Sequence, residues 1–240
     1  MRTVNQPGGL AAAVALHEQL LRRPDPGASA TRLHPGRRAS PSRWTPDLLP
    51  LRPYQSVDPA QLELGGHDDF HAIPDTALDG AIERVVDVEG PVHFEVLADR
   101  LLDAAGVGRL GSRIRARIED RLEVLSAGPS LQWQADCLAR PARTLKPPYR
   151  DWRAAPEKTR QLEYVSDNEL MLALFRAVLD GDADERETAM NAGIHAIGFI
   201  RLTDNARERL QAPLESLLAS GWLVAQGNML RVGGVEPADA

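Results

Sequence analysis

The strongest constraint on the fold of this chain is an internal repeat. The pattern of residues from about 73 to about 125 recurs 92 positions later, and no gap is needed to align the two copies. Residues of matching type include Ile73 and Val165, Leu78 and Leu170, Ile82 and Leu174, Glu95 and Glu187, Gly106 and Gly198, Leu110 and Leu202, Arg115 and Arg207, Arg117 and Arg209, Leu122 and Leu214, and Glu123 and Glu215. A constant offset over this length indicates one supersecondary unit used twice.

The first copy, residues 73–138, has the pattern of three helices followed by a β-hairpin. Apolar residues recur at helical spacing in a first helix that ends at Gly90-Pro91 and in a second that ends near Gly106. A third helix is predicted over about 111–125, and residues 131–138 read as a short strand pair. This order is that of a winged helix, a helix-turn-helix variant.

The second copy, residues 161–234, repeats the pattern with changes. Ser166 with Glu169, and Asp184 with Glu187, are predicted to cap its first two helices. The stretch 222–232 reads as a hairpin. Pro213 is predicted to kink the third helix or to mark its true start.

The predicted fold class is therefore mainly α with short β-hairpins (α+β), with two tandem winged-helix domains after a partly disordered N-terminal segment. Residues 1–56 are predicted to be an N-terminal helix over 9–23 and a basic tether rich in Pro and Arg. Residues 57–72 are predicted to be a lead-in, 139–160 a linker and 235–240 a tail.

A row of arginines, Arg109, Arg113, Arg117 and Arg121, lies one position ahead of the apolar row of the third helix. Arginine suits phosphate oxygens and guanine edges, so this helix is the candidate for contact with duplex DNA. The candidate residues are Arg109, Ser112, Arg113, Arg115, Arg117 and Arg121, and secondary phosphate contacts are expected from Arg37, Arg38, Arg43 and Arg201. The alternative is a solvated face, because Glu119, Asp120 and Glu123 lie on the same helix at pairing distance.

Composition limits the other classes of function. The single cysteine, Cys137, excludes an intrachain disulfide and a cysteine-built zinc site, and it suits the cytoplasm. No apolar run is long enough for a transmembrane helix. We find no phosphate-binding GxxxxGK[ST] loop, no nuclease cluster and no hydrolase triad, so we expect no enzyme, no catalytic residues, no metal or cofactor and no small-molecule substrate. Net charge of −6 gives no general attraction to nucleic acid, although residues 1–56 alone carry eight Arg against three acids.

Two stretches carry a resemblance to a known family: Val88-Glu89-Gly90-Pro91-Val92-His93 and Gly108-Arg109-Leu110-Gly111-Ser112-Arg113-Ile114-Arg115. The chain resembles the domain of unknown function at the C-terminal end of large bacterial superfamily-one helicases that also carry an endonuclease-like domain. The resemblance covers about 78–126 most strongly and extends more weakly, through Pro148-Tyr149-Arg150-Asp151, to about Val232.

The resemblance implies an accessory to an ATP-driven DNA motor in a DNA-processing or defence system. No catalytic residues are assigned to this region of the family, so none is implied here. The chain is then expected to be a free-standing relative or a detached piece of a larger protein. We expect a DNA-binding accessory module, and the alternative is an adaptor that docks on a helicase or nuclease subunit without binding DNA itself.

Overall fold

A computed structural model describes residues 50–67, 69–134, 136–141, 148–181 and 184–233. The helices are α1 (Asp75–Glu89), α2 (Phe94–Ala105), α3 (Ser112–Ser126), α4 (Asp167–Leu179), α5 (Arg186–Ala196) and α6 (Asp204–Ala219). The strands are β1 (Leu51–Pro53), β2 (Val92–His93), β3 (Gln132–Gln134), β4 (Cys137–Ala139), β5 (Tyr149–Asp151), β6 (Leu223–Gln226) and β7 (Met229–Val232). The predicted N-terminal helix, the tether with Arg37, Arg38 and Arg43, and the tail lie outside the described residues. The described part is mostly helical with small sheets, which confirms the predicted class at that level.

The first copy packs three helices against a three-stranded sheet. Antiparallel β2, β4 and β3 lie in the order β2-β4-β3, so the short strand before α2 pairs with the hairpin. His93 caps α2, because its Nδ1 accepts from Glu95 N at 3.2 Å. Gly106 ends α2 with a φ of 70°, a left-handed conformation that favours glycine.

The second copy repeats these elements with α4, α5, α6 and the β6-β7 hairpin. Its strand before the second helix is reduced to one bridge, Glu185 to Met229. That bridge matches the pair His93 and Cys137 of the first copy at an offset of 92. The hairpin pairs Gln134–Cys137 and Gln226–Met229 match at the same offset. The repeat found in the sequence therefore extends to strand register.

In the second copy, the predicted Asp184 cap is wrong, and of the two alternatives for Pro213 the start of the helix is wrong. Asp184 does not cap α5; the N-cap is Glu185, and the backbone carbonyl of Asp184 instead accepts from Leu230 N at 2.7 Å. The helix α6 does not begin at Pro213 but at Asp204, after the Thr203 cap, and it continues through the proline. Pro213 and Leu214 are buried against the core, so tertiary packing outweighs the helical hydrogen bond that proline cannot donate.

The described parts of the segments predicted as tether end, lead-in and linker lie at the junction between the copies. Strand β1 pairs in parallel with β5, and Tyr54 N donates to Asp151 O at 3.1 Å. Tyr164 packs against the apolar cores of both copies.

A buried carboxylate organises the first side of this junction. Glu89, at the end of α1, is fully buried and accepts from Tyr54 Oη at 2.6 Å and from Val57 N at 2.9 Å. Arg100 Nε donates to the same carboxylate at 2.8 Å, and Arg100 Nη2 also reaches Thr159 Oγ1 at 3.1 Å. The carboxylate thus joins the lead-in to α1 and α2, and Arg100 extends the network to the linker.

A second buried ion pair lies at the junction between the two copies. Arg150 lies on β5, and its Nη2 donates to Glu169 Oε2 of α4 at 2.6 Å. Arg150 also donates to the carbonyls of Glu89 and Pro91, at 2.6 and 2.9 Å. Trp152 Nε1 completes the shell of Glu169 at 3.1 Å. A single guanidinium therefore holds α4 of the second copy against the end of α1.

Candidate nucleic-acid interface

Helix α3 carries the candidate residues, and its orientation is set by its apolar row. Ile118 and Leu122 are fully buried, while Leu110 and Ile114 pack at the edge of the same core. The arginine row lies beside this buried stripe, as the spacing predicts.

Two members of the arginine row are tied to the start of α1. Arg117 donates to the carbonyls of His71 and Ile73, and to Asp75 Oδ1 at 3.1 Å. Arg121 binds both oxygens of Asp79, at 2.8 and 2.6 Å, and its Nη1 reaches Asp75 at 3.1 Å. The Asp79 hydrogen bonds raise the pKa of Arg121. Both arginines are less than one-fifth exposed, so they hold α3 on α1 and have little surface left for a ligand.

Arg115 is also engaged within the first copy. Its Nη2 donates to Glu95 Oε1 at 2.5 Å, and its guanidinium lies 4.8 Å from the centre of the Phe94 ring. This arginine packs α3 on the first turn of α2.

The second copy repeats these contacts. Arg207 donates to Glu187 at 2.7 Å, as Arg115 does to Glu95. Arg209 donates to Val165 O at 2.6 Å and to Asp167, as Arg117 does to Ile73 and Asp75. Where an arginine and its acidic partner both recur 92 positions later, the arginine therefore connects two helices within its copy. These ion pairs could have been predicted from the sequence, because Asp75 and Asp167 are separated by 92 residues, as Arg117 and Arg209 are.

The remaining candidates are exposed. Arg109, Ser112 and Arg113 lie at the N-terminal end of α3, and Arg201 holds the position of Arg109 in the second copy. Within the described residues, none of these three arginines forms an ion pair. Gly111, the N-cap of α3, has no side chain that could accept from the first amide groups of the helix. These groups point toward the end where Arg109 and Arg113 lie.

The rest of the exposed face of α3 has a different character. Beyond Arg113 it carries Ala116, Asp120, Glu123 and Val124, and Val124 is 57% exposed. The positive part of the helix surface is thus confined to its N-terminal end.

A shallow cavity of about 460 Å³ lies beside Arg201. Phe199 and Leu162 supply apolar lining, while Glu163 and Glu208 balance the charge of Arg201 and Arg209. The cavity therefore has no net charge that would select an anion.

Cys137 and His93 are both partly buried, and burial shifts the pKa of each. Burial raises the pKa of the Cys137 thiol to about 12, so the thiol stays protonated near neutral pH. Burial also lowers the pKa of His93. Across the described ranges, no three His, Cys, Asp or Glu side chains converge as a metal site would require. No helix in the described part is long and apolar enough to cross a membrane.

Comparison with known protein families matches part of the chain. Residues 68–116 are similar to the family described as "Protein of unknown function (DUF3320)". The matched range contains α1, α2 and the start of α3, with Arg109, Ser112, Arg113 and Arg115. No curated protein and no solved structure matches the chain.

Proposed function

We propose that this protein is a non-catalytic module that binds duplex DNA through the N-terminal end of α3. The observation that carries the proposal is the division of the α3 arginines, because Arg109 and Arg113 are exposed and unpaired within the described residues. An unpaired guanidinium is free to exchange its water for phosphate oxygens, whereas one held by carboxylates first has to break those bonds.

The architecture supports this assignment. In each copy a helix, a short strand or bridge, two further helices and a hairpin follow one another, and we propose that both copies are winged helices in tandem. In helix-turn-helix proteins the N-terminal residues of the recognition helix contact DNA. Arg109, Ser112 and Arg113 hold that position in the first copy, and Arg201 is the second-copy counterpart of Arg109.

The resemblance to helicase-associated domains supplies the context of the proposal. The module acts as an accessory that holds DNA beside a bacterial helicase or nuclease in a DNA-processing or defence system. Its place of action is the cytoplasm.

Fluorescence anisotropy with a labelled duplex of about 20 base pairs tests the proposal at low salt. Arg109→Glu with Arg113→Glu should weaken binding by at least about tenfold and lower the slope of log K against log [salt] by about 2. Arg84→Glu is the matched control, because Arg84 is exposed on α1 and, among the described residues, bonds only to Gln61, at 3.4 Å. Equal binding by the double variant and the wild type would refute the proposal.

A second function is favoured by the C-terminal half of the same helix. Val124 is exposed beside Asp120 and Glu123, a surface that suits a protein partner better than phosphate. Under this alternative the module is an adaptor that docks on a helicase or nuclease subunit without DNA.

Co-purification from the native host after nuclease treatment separates the two functions. The adaptor function predicts that a motor or nuclease subunit is retained by the wild type and by the Arg109/Arg113 variant, and is lost with Val124→Arg. Retention that disappears with nuclease treatment would instead indicate a bridge through DNA.

A further inference from the structure

Two carboxylates share the exposed face of α3 with Arg113. At 3.6 residues per turn and 1.5 Å rise, Asp120 lies about 10.5 Å beyond Arg113 and only about 20° around the axis. Glu123 lies about 15 Å beyond Arg113 and about 80° around. Both acids are exposed.

These charges are not neutralised by the arginines of the same helix. Arg117 and Arg121 donate to α1, and Arg115 donates to Glu95 on α2. Within the described part of the chain, Asp120 and Glu123 form no ion pair. The face that would enter a DNA groove is therefore positive at its N-terminal end and negative about two to three turns further along.

A helix in the major groove lies in a channel about 12 Å wide with phosphates on both walls. Carboxylates at the positions of Asp120 and Glu123 would enter that negative potential, and the cytosine amino group is the usual donor that base edges offer a carboxylate. The N-terminal end of α3 meets no such opposition, because Arg109 and Arg113 are the charges there.

We infer that Asp120 and Glu123 keep α3 out of the major groove. The protein then contacts the sugar–phosphate backbone with the N-terminal end of α3 and binds duplex DNA without selecting bases. This inference rests on the proposed function, since it describes how the same helix binds duplex DNA. The two acids set both the strength and the sequence tolerance of the contact.

Anisotropy titrations with two duplexes of unrelated sequence test the inference. Asp120→Asn with Glu123→Gln should tighten binding by about threefold for each charge removed at low salt, as expected for a phosphate about 7 Å away in water. The matched control is Glu63→Gln with Glu215→Gln, which removes two exposed acids from outside α3 and should change affinity far less. The wild type should bind both duplexes equally.

Two results would overturn the inference while leaving DNA binding intact. One is an Asp120→Asn/Glu123→Gln variant that binds no tighter than the control variant. The other is a wild type that prefers one duplex by about tenfold, since each specific base contact is worth about 1–3 kcal/mol and a backbone contact offers none. Failure of the proposed function looks different, because the Arg109/Arg113 variant would then bind as the wild type does. Circular dichroism of every variant checks that the fold is unchanged.

Discussion

Substitution of Arg150 by Ala should destabilise the protein more than any change at an exposed arginine. The side chain of Arg150 is 7% exposed and joins Glu169 of the second copy to the carbonyls of Glu89 and Pro91 in the first. Glu169 is fully buried, and without the guanidinium it keeps, among the described residues, only the Trp152 indole and the backbone amide of residue 150 as donors.

The magnitude follows from what is left behind. Removing one partner of a buried ion pair costs about 3–5 kcal/mol, because the other charge stays buried without compensation. Total unfolding free energies are about 5–15 kcal/mol, so this loss is a large fraction of the stability.

Urea unfolding followed by circular dichroism measures the change. Arg153→Ala is the matched control, because Arg153 lies three residues away and its ion pair with Asp151 is exposed. Such a surface pair is worth about 0–1 kcal/mol. A loss below about 1 kcal/mol for Arg150→Ala, or one equal to that of Arg153→Ala, would show that the junction does not depend on this guanidinium.

Three further predictions concern the ties and the titratable groups. Arg209→Ala should lower the unfolding free energy by about 2 kcal/mol, because charged hydrogen bonds contribute about 1.5–3 kcal/mol each, and urea titration would show this. His93 has a folded-state pKa below its ordinary 6.5, so the unfolded state takes up its proton more readily. The stability that neutral His93 contributes is therefore present above pH 6.5 and lost as pH falls below it. The urea midpoint of the wild type should drop between pH 7.5 and 5 more than that of His93→Asn. Equal drops would contradict this. Cys137 should resist iodoacetamide at pH 8 in the native protein and react in urea, because burial raises the pKa of its thiol to about 12; mass spectrometry would detect early labelling that contradicts this.

The helices and the repeat could be predicted because their signals are local. Apolar residues four positions apart, such as Ile118 and Leu122, mark one helix face without any knowledge of the tertiary fold. The offset of 92 also needs only the chain itself.

The partners of the arginines could not be read in the same way. Arg121 and Asp79 are 42 residues apart, and only the packing of α3 on α1 brings them together. The periodicity of α3 offered its own acids as partners, yet Asp120 and Glu123 stay exposed and the ties run to other helices.

The junction was the least predictable part. Arg150 lies in a segment rich in Pro and Arg, a composition typical of a solvated linker, yet it is buried against Glu169. Strands of three residues such as β1 and β5 carry too few residues to show an alternating pattern.

We propose that the α3 arginines divide into residues that hold the fold and residues that meet the ligand. Arg113→Ala and Arg117→Ala test it most directly when both the affinity for duplex DNA and the unfolding free energy are measured for each. Arg113→Ala should lower affinity by about threefold or more and change stability by less than about 0.5 kcal/mol. Arg117→Ala should lower stability by about 2 kcal/mol and leave the affinity of the folded protein within about twofold of the wild type. Weaker DNA binding by Arg117→Ala, with unchanged binding by Arg113→Ala, would contradict the account.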